Sequence, residues 1–580
     1  MTGRVLAVAA VGLAMALAAP LSAKCAVGKI ADLKVTMNGM RPMVTVGIEG
    51  QDATFLLDTG AFHSSISPGS AATLGLKPQA MGGARMYGIG GTQDMKVARV
   101  KAFTIAGATV PNVEFVVGGS EHGSVGLLGL NVLALADSEY DLAHGAVRLF
   151  KSNDCADTVL AYWAKDDAIS VVEMEKMNPD DRHFVVPVYV NGVRLRAILD
   201  TGASKSMLSK AAAARAGMTP TSAEMEPSGV AAGLGRGTVQ SWIAPFDSFR
   251  IGGEEIRRTR LRIGDFSDLG FDMLIGADFF LAHRLYVAPG LRRVYFTHNG
   301  GPVFRLGDPA AAPIPAKADA SDPGDADGFA QRGRVRAARG DLAGGLADLD
   351  QAVTRAPDDI AYRRDRAGML AATGRLKDAR ADYDRIVARR PDDGDARVAR
   401  AALRLRIDPA DKSGARDDLA AAAARLPDAS DLRLALADLY VALDDLPQAI
   451  AQTDLWIRYH PDDRRRGEAL NGRCWARALS GRDLDRALDD CNAALRFTPG
   501  EASYFDSRGL VRLRSGDPKR AVADYDSALA KEPKMAWSLY GRGIAKIRLG
   551  QRVAGEADLA AARAIEPGIA DRARRYGIAP

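Results

Sequence analysis

"FLLDTGAFHSSIS", Phe55–Ser67, and "AILDTGASKSMLS", Ala197–Ser209, carry the same apolar run, the same Asp-Thr-Gly-Ala and the same trailing serines 142 positions apart. A short apolar run that breaks into a polar, glycine-containing loop reads as a buried strand handing its next residue to an exposed edge. Each stretch therefore offers one carboxyl, Asp58 or Asp200, at a strand end. The repetition extends beyond the motif. At the same offset Val44, Val46 and Gly50 meet Val186, Val188 and Gly192, and Gly75 and Pro78 meet Gly217 and Pro220. Farther on the register slips by a few residues, yet "GLLGLNVL", Gly126–Leu133, answers "DMLIGADFF", Asp272–Phe280, and "YDLAHGAVRLF", Tyr140–Phe150, answers "YVAPGLRRVYF", Tyr286–Phe296. Two complete β-domains follow from this reading, residues 28–155 and 165–306.

At 580 residues the chain needs more than one hydrophobic core. Lys+Arg number 77 and Asp+Glu 72, interspersed without a long basic tract, which argues against a nucleic acid partner. The opening "MTGRVLAVAAVGLAMALAAPLSAK" has Arg4, an apolar run from Val5 to Ala19, and Pro20 before small residues ending at Ala23. That layout predicts a signal peptide over residues 1–23, too short to span a bilayer, and a mature chain in the periplasm or secreted, without a stable membrane anchor. Four cysteines in an exported chain allow three pairings, and their positions favour Cys25–Cys155 and Cys474–Cys491. The seven histidines are scattered, no CxxC is present, and no metal site or cofactor is expected.

Residues 307–325 form a Pro/Ala/Asp-rich linker, poor in large apolar residues. Beyond it the apolar spacing turns helical, and Pro357, Pro391, Pro427, Pro461, Pro499, Pro533 and Pro567 recur at intervals of 34 to 38 residues. With Gly509, Gly516, Ala521, Tyr525 and Ala528 in one unit, and their counterparts Gly333, Gly340, Gly345, Leu349 and Ala352 in the first, this stretch resembles the tetratricopeptide repeat. About seven units are expected over 326–570, the one around Pro427 degenerate, followed by a tail over 571–580. Such a superhelix implies a protein partner. Cys474 falls at the small position of one first helix and Cys491 at the aromatic position of its second, within expected disulfide reach.

The duplicated motif resembles the retropepsin-like aspartic proteases, the family of the retroviral enzymes and of the lobes of pepsin. The marks occur in order in both copies: Asp58-Thr59-Gly60-Ala61, "MYGIGG" from Met86, and Leu127-Leu128-Gly129; then Asp200-Thr201-Gly202-Ala203, "SGVAAGLGRG" from Ser228, and Leu274-Ile275-Gly276. The resemblance implies a multidomain chain, two all-β lobes forming an intrachain pseudo-dimer ahead of the all-α repeats. It makes Asp58 and Asp200 the catalytic pair of a peptide hydrolase: two adjacent carboxyls sharing one proton supply both a base and an acid. Thr59 and Thr201 would bond across to the opposite loop, supported by Gly60, Ala61, Gly202 and Ala203, with Gly129 and Gly276 nearby. Flaps carrying Tyr87, Gly88, Gly90 and Gly91, and Gly229 and Gly233, would close over a polypeptide substrate. His63 and Lys205 read as exposed loop residues, and Ser64 and Ser206 as local backbone partners. The rival reading is a non-catalytic periplasmic scaffold whose degenerate lobes bind peptides.

Overall fold

A computed structural model describes residues 25–88, 91–119, 123–164, 168–176, 182–219, 222–233, 237–266, 269–301, 303–304 and 322–580. The expected signal peptide, Gly90 and most of the linker lie outside this set. Among the described residues no helix is long and apolar enough to cross a membrane.

Each lobe starts with tight antiparallel hairpins. In the second, Val185–Val190 pairs with Val193–Leu199 around Asn191 and Gly192, at φ of 48° and 78°. Two successive positive φ values give the turn whose twist matches that of the flanking strands, and Asn-Gly is the pair that adopts it readily. In the first lobe, Arg41–Ile48 and Gln51–Leu57 pair likewise around Glu49 and Gly50. Alternation then sorts the faces: Val44, Val46, Ile48 and Phe55 are buried, as are Val186, Val188 and Val190. Leu57 lies in parallel register with Leu128, and Leu199 with Ile275. Flanked in this way, each strand carries its aspartate out at a fixed height, the Asp58 amide donating to the Leu128 carbonyl (3.0 Å) and the Asp200 amide to that of Ile275 (2.8 Å).

The lobes are less separate than the internal repeat implies. Their closing hairpins, Asp137–Asp141 with Ala146–Asn153 and His283–Ala288 with Arg293–His298, leave their own lobes and join edge to edge, Tyr140 opposite Leu285. With Ala26–Asn38 at one end and Ser170–Glu173 at the other they form a six-stranded sheet common to both halves. Two self-contained β-domains are therefore corrected to two lobes on a shared base. Glu139, fully buried there, takes Arg148 from the first lobe and Arg284 from the second, and Asp141 lies beside the same two guanidinium groups. A disulfide joins Cys25 to Cys155 at the rim of this sheet.

From Ala326 to Ile565 fourteen helices stack as seven antiparallel pairs. Aspartates start many of them: the side chains of Asp325, Asp341, Asp359, Asp393, Asp411, Asp445 and Asp517 accept amide hydrogens of the first turn. A second aspartate, on the seventh residue of the second helix of a pair, is buried and grips an arginine of the first helix in a fork. Arg366 holds Asp382 at 2.8 and 2.6 Å and reaches back to Asp350 of the preceding pair at 3.0 Å. Arg473 with Asp490 and Asp454, and Arg542 with Asp558 and Asp526, repeat the arrangement. Gly333 faces the Gly345 carbonyl where two helices cross, too close for a Cβ. Cys474 and Cys491 are disulfide-bonded between the helices of the fifth pair. Of residues 571–580, expected as a tail, the first five instead complete the helix Ile569–Arg575, and Ala573 and Ile578 are buried, because those apolar residues cover an otherwise open end.

Candidate active site

Asp58 and Asp200 face each other where the two lobes meet. A Cβ built on Gly60 would lie 2.4 Å from the Asp200 carboxyl carbon, and one on Gly202 would lie 2.3 Å from that of Asp58. Only hydrogen fits at either place, which accounts for glycine after each Asp-Thr. The loops are locked by a reciprocal set of bonds. The Thr59 amide donates to the Thr201 hydroxyl oxygen (3.1 Å) and the Thr201 amide to that of Thr59 (2.9 Å). Each hydroxyl then donates across the interface, Thr59 to the Leu199 carbonyl and Thr201 to the Leu57 carbonyl, both at 2.7 Å. Both threonines are fully buried, so these bonds are shielded from water.

Within each loop one carboxylate oxygen is fixed by two amides. Asp58 Oδ1 accepts from Gly60 (2.9 Å) and Ala61 (3.0 Å), and Asp200 Oδ1 from Gly202 (2.9 Å) and Ala203 (3.1 Å). The two carboxyls also hydrogen-bond each other. Desolvation holds Asp58 well above the usual carboxylate range, and the charge of Asp200 and their mutual bond add to the effect. Desolvation raises Asp200 too, opposed by the bond from Asp58, the Ala203 and Gly202 amides and the nearby His183. The pair therefore keeps one proton where isolated carboxyls have lost theirs.

A further layer supports the loops. Ser64 and Ser206 are buried; each hydroxyl accepts from a backbone amide, Gly129 at 3.0 Å or Gly276 at 2.9 Å. Each also donates to a side chain, Asn131 or Asp278, at 2.7 Å. The expectation of backbone partners alone is thus incomplete. Asn131 and Asp278 stand two residues after Gly129 and Gly276, and a polar residue at that place in an otherwise apolar run was the available signal. Gly129 and Gly276 pack against the Ala61 and Ala203 carbonyls, leaving no room for a side chain.

His63 is exposed and Lys205 half-buried, neither bonded to the carboxyls. Phe62 stacks edge-on to His63 at 4.7 Å and approaches His183 at 6.0 Å, with the Arg182 guanidinium over its ring. No internal repeat signals His183 or Arg182, and the Arg182 guanidinium gives one side of the site a positive character. In the first flap Gly88 pairs with Gly91, and in the second Ala232 pairs with Thr238. Gly229 has φ 76° beside a register shift in the second hairpin, and Gly233 follows its first strand. The Tyr87 side chain and Gly90 lie outside the described residues. One further cluster corrects the picture of scattered histidines: donor atoms of Glu254, His283 and His298 lie within 4.8 Å of one another.

The sequence model of a family described as aspartyl protease matches residues 44–132 and 186–279, and that of a tetratricopeptide repeat matches 331–396 and 507–572. The first half thus carries two aspartyl protease-type lobes and the second a tetratricopeptide array, a class of repeat that generally mediates protein–protein contact. No curated protein matches significantly. Among solved structures, a tetratricopeptide repeat protein from Parabacteroides merdae is similar at 17% identity, TM-score 0.34, over 42% of this chain and 93% of that one. The Cut9–Hcn1 tetramer of APC/C is similar at 15%, TM-score 0.31, over 38% and 42%, and YrrB, a repeat protein with an unusual peptide-binding site, at 20%, TM-score 0.29, over 33% and 97%.

Proposed function

We propose that two aspartyl protease-type lobes in one chain make a single active centre, and that the protein is an exported aspartic endopeptidase. The observation that carries this reading is the reciprocal Thr59–Thr201 lock, with each motif glycine set against the opposite carboxyl. In the singly protonated pair, the ionised carboxyl takes a proton from water as its oxygen attacks the scissile carbonyl. The protonated carboxyl donates to the carbonyl oxygen. Collapse of the tetrahedral adduct returns one hydroxyl proton to the second carboxylate and expels the amine, which receives the proton first taken from water, so the pair again holds a single proton. The flap hairpins contribute the outermost described strands of their sheets, Gln79–Gly88 and Glu226–Ala232, and such edges suit an extended polypeptide held by strand-like bonds. The signal-like amino terminus and two disulfides support an oxidising location, periplasmic or secreted. The repeats would bring a protein substrate or a regulator to the cleft.

The test is the mature chain incubated with unfolded protein between about pH 3 and pH 7, beside Asp58→Asn and Asp200→Asn. Each substitution alone lowers kcat by about 10³-fold or more, since acid–base action is lost as a unit. Equal, substantial residual activity in both variants would mean two independent sites. No cleavage by the unaltered chain at any pH would leave the peptide-binding scaffold.

A further inference from the structure

His283 opens the strand His283–Ala288 and His298 ends Arg293–His298, and the two are direct partners in the antiparallel register. Opposed residues in such a pair project to the same face, with Cβ atoms about 5 Å apart. Their rings accordingly lie 5.1 Å apart between centroids. Glu254, the first residue of Glu254–Gly264, reaches the same spot, with a carboxylate oxygen 2.9 Å from His283 Nε2.

The other ring nitrogens fix which atoms remain as donors to a cation. His283 Nδ1 lies 2.9 Å from the Phe279 carbonyl and His298 Nε2 lies 3.1 Å from that of Gly301. A carbonyl only accepts, so each of these nitrogens carries the hydrogen, and a neutral ring then turns its lone pair inward from the opposite nitrogen. A backbone carbonyl on the far side of the ring is the usual orienting partner of a metal-bound histidine. With both rings neutral, two lone pairs and a carboxylate converge there, and His283 Nε2 stands at hydrogen-bond distance from Glu254, so what holds the three together is either a proton on His283 or a metal ion.

We propose that Glu254, His283 and His298 bind a divalent transition-metal ion of the zinc type, with water in the fourth position.

The donor set, two imidazoles and one carboxylate, fits zinc in tetrahedral geometry with bonds of about 2.0–2.2 Å. The mutual spacing within 4.8 Å needs only small side-chain adjustment to reach it. Both cysteine pairs are oxidised and no free thiol competes for the ion. His283 is fully buried while His298 is exposed, so the ion would enter from the solvent side. There it would pin the last strand of the second lobe just before the chain leaves for the repeats.

The competing occupant is a proton, making His283 an imidazolium paired with Glu254. The experiment uses the full mature chain without an affinity tag, stripped with chelator and titrated with Zn²⁺ alone, with Co²⁺ absorption as the report of coordination geometry. Expected are one tightly bound Zn²⁺ per chain, a tetrahedral Co²⁺ spectrum, and a melting temperature raised by Zn²⁺ and lowered again by chelator. His298→Ala, at an exposed position that leaves the Glu254–His283 contact in place, loses at least about tenfold in affinity and the Co²⁺ spectrum. Glu254→Gln behaves likewise, whereas Asp200→Asn, at the other carboxylate cluster, binds as the unaltered chain does. Substoichiometric binding, or affinity unchanged in His298→Ala, overturns the proposal, and so does an Asp200→Asn chain that loses the ion.

Discussion

The carboxyl pair sets stability against chemistry. Asp58 holds its proton in the folded chain at pH values where the unfolded chain has released it. Between the ordinary carboxylate value near 4 and the raised folded value, the folded state binds more protons, so this residue's contribution to stability falls as pH rises. Asp58→Asn, neutral at every pH, removes that penalty. Its melting temperature should match the unaltered chain near pH 3.5 and exceed it progressively toward pH 7, as thermal melts across the range would reveal. A gap that is constant with pH would contradict the raised proton affinity. His183 opposes the rise at Asp200, so His183→Ala should move the acid limb of the kcat/KM profile to higher pH. An unmoved limb would mean that His183 does not feel the carboxyls. Gly60→Ala tests packing: with its Cβ driven into the Asp200 carboxyl, activity should fall at least about 100-fold.

At the scale of elements, the repeat array depends on its arginine–aspartate forks, and the degenerate unit shows what happens without one. Arg433 occupies the place of Arg363: both bind a proline carbonyl six residues upstream, Pro427 or Pro357, and both reach the seventh residue of the second helix. That residue is Asp382 for Arg363 but Gln452 for Arg433, and Leu436 replaces the forked arginine. Burial depresses the proton affinity of Arg433, with only the exposed Asp428 to offset it. A charged acceptor bonds a guanidinium more strongly than an amide does, so Gln452→Asp should stabilise the array by about 1 kcal/mol in denaturant unfolding. A loss of stability would show that the unit has repacked around the amide. The sequence announced this unit as irregular because the proline and glycine pattern is local. The forks were not legible, because an Asp among many on a helix becomes special only when an arginine 16 to 18 residues earlier arrives beside it. The same holds for the shared sheet, since self-alignment equates two hairpins without saying that they pair with each other. It holds too for His283 and His298, separated by 15 residues and joined only by strand register. The catalytic motif was legible for the opposite reason: strand, turn, carboxyl and glycine are contiguous, and only their meeting across the lobes required the fold.

Across the whole molecule, the repeats touch the lobes through contacts of very different strength. Lys96 of the first flap hairpin lies 3.8 Å from Asp462 of the array, both partly exposed, a contact worth less than about 1 kcal/mol. The first repeat helix, Ala326–Ala338, instead belongs to the core of the lobes: Val335 is buried there with Leu33, Val35 and Phe280. Gln331 fills the space over Gly145, Lys34 pairs with Asp327 at 2.7 Å, and the Arg339 guanidinium donates to the Leu281 carbonyl. Removing one buried aliphatic side chain from such a site costs about 1.5–3 kcal/mol, and the polar contacts add to it. A chain ending at residue 304 should therefore melt about 6–12 °C below the full chain in its β-rich transition, taking about 3 kcal/mol at 2–4 °C per kcal/mol. A chain ending at residue 356, which keeps the first helix pair, should recover most of that loss. The comparison, followed by circular dichroism at a wavelength dominated by strand signal, separates docking from tethering. If all three chains melt alike, the array is only tied on through the linker, and its first helix contributes nothing to the platform on which Asp58 and Asp200 meet.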